Sequence, residues 1–116
     1  MRHEVTPADT ALAVGSGDVE VLATPRLLTW LEHATAQLAL RVLEPGQTSV
    51  GTAVRIRHRL PTHVGDTVDI AVDAPSMDGR HLLFGVRATN SAGQLIADGE
   101  LERVVVDRSR FLANVP

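Results

Sequence analysis

Cysteine is absent from the chain, which excludes a disulfide, a thiolate nucleophile and any cysteine-ligated metal. It also makes a reducing cytoplasm the expected compartment. Tyrosine is absent too, and Trp30, Phe84 and Phe111 are the only aromatic residues, too few and too scattered to form a base-stacking platform. Positive charge is in deficit: the formal net charge is -3 and no basic cluster is long enough to hold a polyanion, so nucleic acid is excluded as a partner. No apolar run approaches the 18 residues of a membrane span, and the Met1-Arg2-His3-Glu4 start lacks the apolar stretch of a signal peptide. His33, His63 and His81 show no metal-ligand spacing with one another or with His58, so neither a metal nor a cofactor is expected.

What remains is a chain built to fold. Hydrophobic residues make up 44% and charged residues 22% of its 116 positions, the balance of a soluble domain with a real core. The length fits a single domain over residues 1–116, with no repeat, linker or low-complexity tract. A short strand is expected around Arg2 to Thr6, followed by an irregular or partly helical connection over Pro7 to Gly17.

The best-marked element is a helix from Pro25 to about Leu43, with Thr24 as N-cap, Pro25 in its first turn and Pro45-Gly46 as its stop. At about 100° per residue, Arg26, Thr29, His33, Gln37, Arg41 and Glu44 fall on one narrow polar stripe. Leu27, Leu28, Leu31, Ala34, Leu38, Ala39 and Val42 fill most of the remainder, which predicts a largely buried helix.

Ser49 to Leu60 alternates as a half-buried strand, with Val50, Thr52, Val54, Ile56, His58 and Leu60 facing one way and Ala53, Arg55, Arg57 and Arg59 the other. Further strands are predicted at Thr67 to Asp73, His81 to Thr89 and Gln94 to Val106, with a hairpin at Met77-Asp78-Gly79-Arg80. In the last strand Leu95, Ala97, Gly99 and Leu101 share a parity that Val104 and Val106 break, which places a bulge near Glu102. One long apolar helix followed by an antiparallel meander is an α+β layout in which the sheet wraps the helix, the hotdog arrangement.

Two ionisable residues break the pattern. Glu32 lies far from the polar stripe, among Leu28, Thr35, Ala36 and Ala39, and a carboxylate there needs a partner or a shifted pKa. His58 sits by parity on the apolar side of its strand. Each alone has an ordinary reading: a snorkelling or dimer-contact Glu, a satisfied core His, and for Thr24 a cap. Together they make each other candidate partners, beside a helix start whose N–H groups and dipole suit a carbonyl or carboxylate. The Arg55, Arg57 and Arg59 ladder is expected to face solvent, and Gly15-Ser16-Gly17 lacks the context of a phosphate loop or a nucleophile elbow.

With those residues in place, the chain resembles the fluoroacetyl-CoA thioesterase-like group of hotdog proteins over nearly its whole length. The resemblance runs through Ala23-Thr24-Pro25 to Leu31-Glu32-His33-Ala34, Leu43-Glu44-Pro45-Gly46, Val50-Gly51-Thr52-Ala53 to Arg57-His58, and Leu101-Glu102-Arg103. It implies catalytic roles for Thr24, Glu32 and His58, and substrate-binding roles for Gly51, Gly65 and Arg103. It further implies an acyl-CoA substrate and a homodimer with paired sheet edges and sites between subunits. The aromatic residues that gate the pocket of the fluoroacetate-specific member have no counterpart in Asp18 to Leu22, which points to a different short or medium acyl group. The competing readings are a non-catalytic acyl-CoA or lipid-binding hotdog module, in which Glu32 and His58 only satisfy each other, and an enoyl-CoA hydratase.

Overall fold

The computed structural model describes all residues 1–116, and one helix and one curled sheet account for its core. The sheet consists of β1 (Arg2–Glu4), β2 (Gln47–His58), β3 (Thr67–Val72), β4 (Ser76–Asp78), β5 (His81–Asn90) and β6 (Leu95–Asp107). All pairings are antiparallel, in the order β1-β3-β5-β6-β2, with β4 attached to β5. The helices are α1 (Ala11–Val14), α2 (Thr24–Ala39) and α3 (Arg108–Ala113), with 3-10 turns at Pro7–Asp9 and Leu40–Val42. This is the expected α+β hotdog layout. No helix is long and apolar enough to cross a membrane.

α2 packs on β2, β3 and β5 through Leu27, Trp30, Leu31, Ala34, Thr35 and Ala39, a single buried stripe at helical spacing. Leu27 and Leu31 are fully buried against a core that includes Phe84, Leu82, Ile96 and Leu101, each such side chain contributing about 1.5–3 kcal/mol of transfer free energy. The helix is less covered than its sequence predicts: Leu28, Glu32 and Ala36 are only half-buried and Leu40 is exposed. Trp30 is stacked on His3 of β1, the rings 4.4 Å apart and within 2° of parallel.

Three further expectations are corrected. Thr24 is the first helical residue and Ala23 the N-cap, with no side-chain cap bond, because the threonine hydroxyl is engaged elsewhere. The bulge lies not in β6 near Glu102 but in β2: Gly51 pairs with Arg103 and Ala53 with Glu102, leaving Thr52 as the extra residue. β6 has its own irregularity at Ile96, between the pairs Ala88–Ala97 and Thr89–Leu95. Its later alternation is regular, with Leu101, Arg103 and Val105 buried.

The Thr52 bulge reverses the facing of β2. Beyond it Val54 pairs with inward Leu101 and His58 with inward Ala97, as the alternation predicts. Before it the inward positions are Ser49 and Gly51, not Val50 and Thr52, since Gly51 pairs with inward Arg103 and Ser49 bonds the Arg103 side chain. The arginine ladder on the opposite face is exposed as expected, Arg55 bridging Glu100 and Glu102 at 3.0 and 3.2 Å and Arg59 bridging Asp98 at 2.7 Å.

Candidate active site

α2 packs on β2, and residues two turns apart on it meet different parts of the strand. At its start the Thr24 Oγ1 lies 2.8 Å from His58 Nδ1. A helix entered through Ala23 has nothing on its cap to satisfy the first-turn N–H groups. The threonine hydroxyl, released from capping, is free to reach the last residue of β2. The other ring nitrogen, Nε2, is buried and has no hydrogen-bond partner. Partial burial holds the imidazole below the usual histidine range, the nearby Leu60 backbone pulling more weakly the other way. His58 is therefore neutral at neutral pH, able to accept the hydroxyl proton of Thr24 at Nδ1 when its own proton sits on Nε2.

Two turns along the helix, Glu32 lies against Gly51. A side-chain carbon at position 51 would stand 2.7 Å from Glu32 Oε1, so only glycine leaves room for the carboxylate. Arg103, buried beneath them, has its Nη1 3.8 Å from the same oxygen. Its Nε donates to Ser49 Oγ and its Nη2 to the Ser49 carbonyl, at 2.9 and 3.0 Å. Nη1 has no hydrogen-bond partner. Burial lowers the Arg103 pKa and the Glu32 charge opposes that shift, leaving the guanidinium a cation with one donor directed at the carboxylate side. Glu32 is 46% exposed and lines a shallow depression of about 350 Å³ with Thr29, His33, Ala36 and Arg103. Larger clefts of about 570 and 590 Å³ lie among the arginine ladder and against α3, away from these groups.

The chain thus brings the expected residues together in two clusters, Thr24 with His58 and Glu32 with Gly51 and Arg103. No hydrogen bond or ion pair joins Glu32 to His58, so the two do not satisfy each other within one chain. Gly65 belongs to neither cluster: it occupies the turn before β3 with φ +95° and donates its N–H to the Val5 carbonyl at 2.8 Å. Ser49, the anchor of Arg103, escapes sequence reasoning because simple alternation faces it outward; only the bulge turns it in. Gly51→Ala should leave the fold intact, since the atom it meets is the end of a flexible side chain, but swing the carboxylate away. A loss of kcat of about tenfold or more with an unchanged Tm is expected, checked by steady-state kinetics beside a thermal melt.

A curled antiparallel sheet around one helix, which superposes on solved thioesterases of that architecture, places the chain in the hotdog class of thioesterases. Within that class it belongs to the fluoroacetyl-CoA-specific thioesterase family, whose profile matches residues 5–109. It is 34% identical over 96 residues to the fluoroacetyl-CoA thioesterase of Streptantibioticus cattleyicolor, a match covering 83% of this chain and 68% of that protein. The crystal structure of the fluoroacetyl-CoA thioesterase FlK superposes with a TM-score of 0.88 at 28% identity, covering 100% of this chain and 93% of that one. A thioesterase superfamily member from Thermus thermophilus superposes with a TM-score of 0.90 at 28% identity, covering 97% and 83%. The chain is accordingly an enzyme, a thioester hydrolase.

Proposed function

We propose that the chain hydrolyses a short or medium acyl-CoA, with Thr24, Glu32 and His58 as its reactive groups, as a cytoplasmic homodimer. The observation that carries this reading is the 2.8 Å contact between Thr24 and His58, a hydroxyl and a neutral imidazole coupled at an uncapped helix start. Related structures of FlK variants hold fluoroacetate with CoA in one case and acetyl-CoA in another, which supports an acyl-CoA as the substrate here. Asp18 to Leu22 carries no aromatic side chain, which favours an acyl group other than fluoroacetyl.

In this reading the Glu32 carboxylate either attacks the thioester carbon, expelling the thiolate and leaving an acyl-Glu32 anhydride that water then hydrolyses to free acid and carboxylate, or takes a proton from the water that attacks the thioester carbon directly. The carbonyl oxygen is held by the first-turn amides of α2, where the positive end of the helix dipole meets developing negative charge, and by the Thr24 hydroxyl in the tautomer in which His58 Nδ1–H donates to Thr24 Oγ1 and leaves that hydroxyl proton free. His58 relays the proton that the departing thiolate finally accepts. Gly51 leaves the carboxylate its position, and Arg103 offers its free Nη1 to the substrate or to Glu32.

A thiol-release assay across a panel of acyl-CoAs, with chelator present, tests the proposal. Release from at least one short or medium acyl-CoA is expected. The rate should fall on the acid side as His58 takes up a proton, with a midpoint below the usual histidine value of about 6.5. The sign follows from burial, which disfavours the imidazolium and keeps the base form to lower pH. No release from any acyl-CoA, alongside hydration of a 2-enoyl-CoA, would reassign the site as a hydratase.

A further inference from the structure

Nothing on the side chain of Ala23 caps α2, and the Thr24 hydroxyl is committed to His58 at 2.8 Å, so the start of the helix is held by something other than its own cap. His58 is fixed from its side by the sheet. It pairs with Ala97 on β6, and the next two amides, of Arg59 and Leu60, both donate to the Ile96 carbonyl at 2.7 and 3.2 Å. Thr24 has no strand of its own, and the segment that delivers it runs between two supports. On one side the Leu22 N–H donates to the Thr62 carbonyl at 2.9 Å. On the other the Ala11 N–H donates to the Val21 carbonyl at 2.8 Å, and the Ala23 N–H donates to the Asp9 carbonyl at 2.9 Å.

Asp9 reaches the helix a second time. Its Oδ2 accepts the Thr6 N–H and the Thr6 hydroxyl, both at 2.8 Å, and its Oδ1 lies 3.2 Å from Arg26 Nε, a charge contact rather than an aligned hydrogen bond. The Asp9 side chain is 14% exposed, so this pair is screened less than one on open surface. The turn that carries it, Pro7–Asp9, is anchored on either side by the buried Val5 and Thr10. Thr24 therefore lies between two points tied to one residue, Ala23 before it and Arg26 after it. We infer that Asp9 is a positioning residue for the reactive couple: its carbonyl fixes where the chain enters α2, and its carboxylate fixes how the helix is turned about its own axis, so that Thr24 meets His58. The inference rests on the proposed hydrolytic reading of that couple.

Helix geometry makes the second tie effective. Two residues along a helix correspond to about 200° of rotation, so Arg26 leaves α2 on the side nearly opposite Thr24. A pull on Arg26 toward Asp9 and a bond from Thr24 to His58 thus act on opposite sides of the same turn, and together they set its rotation. A helix turned by about 15° carries a hydroxyl standing roughly 4 Å from its axis through about 1 Å. A shift of that size lengthens a 2.8 Å contact beyond hydrogen-bond reach, and misplacements of about 1 Å are known to cost up to a hundredfold in rate. Neither Asp9 nor Arg26 has to touch the substrate for this to hold.

Asp9→Asn and Arg26→Gln, each keeping the shape of its side chain and removing its charge, test the arrangement. Thiol release from the best acyl-CoA should fall about tenfold in either variant, kcat and kcat/KM together, because the interaction being loosened is made in the transition state. The double variant should be no slower than either single one, and Asp9→Asn added to Thr24→Ala should bring no further loss, since Asp9 acts only through Thr24. A wild-type rate in both single variants, or an undiminished loss on the Thr24→Ala background, overturns the inference. Should Asp9→Asn fail to fold, Arg26→Gln, which alters a side chain 38% exposed, carries the same tests. A second readout is free of catalysis. The His58 imidazole, identified by NMR through its loss in His58→Ala, is titrated in each variant. Positioning moves its midpoint in both charge variants the same way, toward that of Thr24→Ala. A purely Coulombic influence moves the two in opposite directions, since one variant removes a negative and the other a positive charge, and that result, or no movement, also overturns the inference. If the wild-type chain releases no thiol from any acyl-CoA, the hydrolytic reading falls, and the His58 titration decides alone whether Asp9 holds Thr24 in place.

Discussion

Glu32→Gln is expected to lower kcat by about a hundredfold or more while Tm hardly moves, the scale of a lost nucleophile or general base. Glutamine keeps the shape and the hydrogen-bonding capacity of the side chain and removes only its charge. Stability should be indifferent because Glu32 is 46% exposed and its contact to Arg103 is 3.8 Å long. Such a pair is worth about 1 kcal/mol or less once solvent screening is counted, and Arg103 keeps both bonds to Ser49. Thiol release under saturating acyl-CoA, read beside a thermal melt, separates the two quantities. A Gln variant that turns over at the wild-type rate would remove Glu32 from the chemistry.

Gly99→Ala should act in the opposite way, through the fold. Gly99 on β6 faces Ile56 on one side and Val86 on the other, and a side-chain carbon at position 99 would overlap the carbonyl oxygen of Arg55. Both partners of that clash are backbone, so neither can swing aside, unlike the carboxylate at Gly51. The strand pair must separate, at a cost of about 3 kcal/mol or more and a Tm lower by about 10 °C or more. Activity should fall even at temperatures where the variant is folded, because β2 carries both Gly51 and His58. A melt within two or three degrees of wild type would mean that β2 tolerates the displacement.

Much of this was legible beforehand. Strong periodicity gave α2 and the long strands, since a helix stripe and a strand alternation both record one buried side. Glu32 and His58 stood out because they interrupt those patterns. Three things were not readable for physical reasons. Local spacing marks Thr24 as a cap, but it enters the first turn and its hydroxyl hydrogen-bonds His58, a tertiary bond invisible to that spacing. The parity break is visible in β6, yet a bulge is a property of two strands, and nothing in β6 says that the extra residue is Thr52 of β2. α3 is not legible because six residues, capped by Asp107 and without a buried side chain, carry no periodic signal. Which cluster Glu32 joins depends on where the helix crosses the strand, and that is a matter of packing rather than of sequence distance.

The stack of Trp30 on His3 gives the enzyme a built-in optical probe. Trp30 is the sole tryptophan and no tyrosine competes with it, so the ultraviolet emission of the folded protein comes essentially from one indole. That indole is 9% exposed and lies face to face with a ring on β1, the strand at the far edge of the sheet from β2. Its colour and intensity therefore record whether the N-terminal strand is docked on α2. A disturbance confined to the reactive side leaves that signal in place, while general unfolding shifts it to the red, so a single fluorescence trace distinguishes a damaged site from a damaged fold.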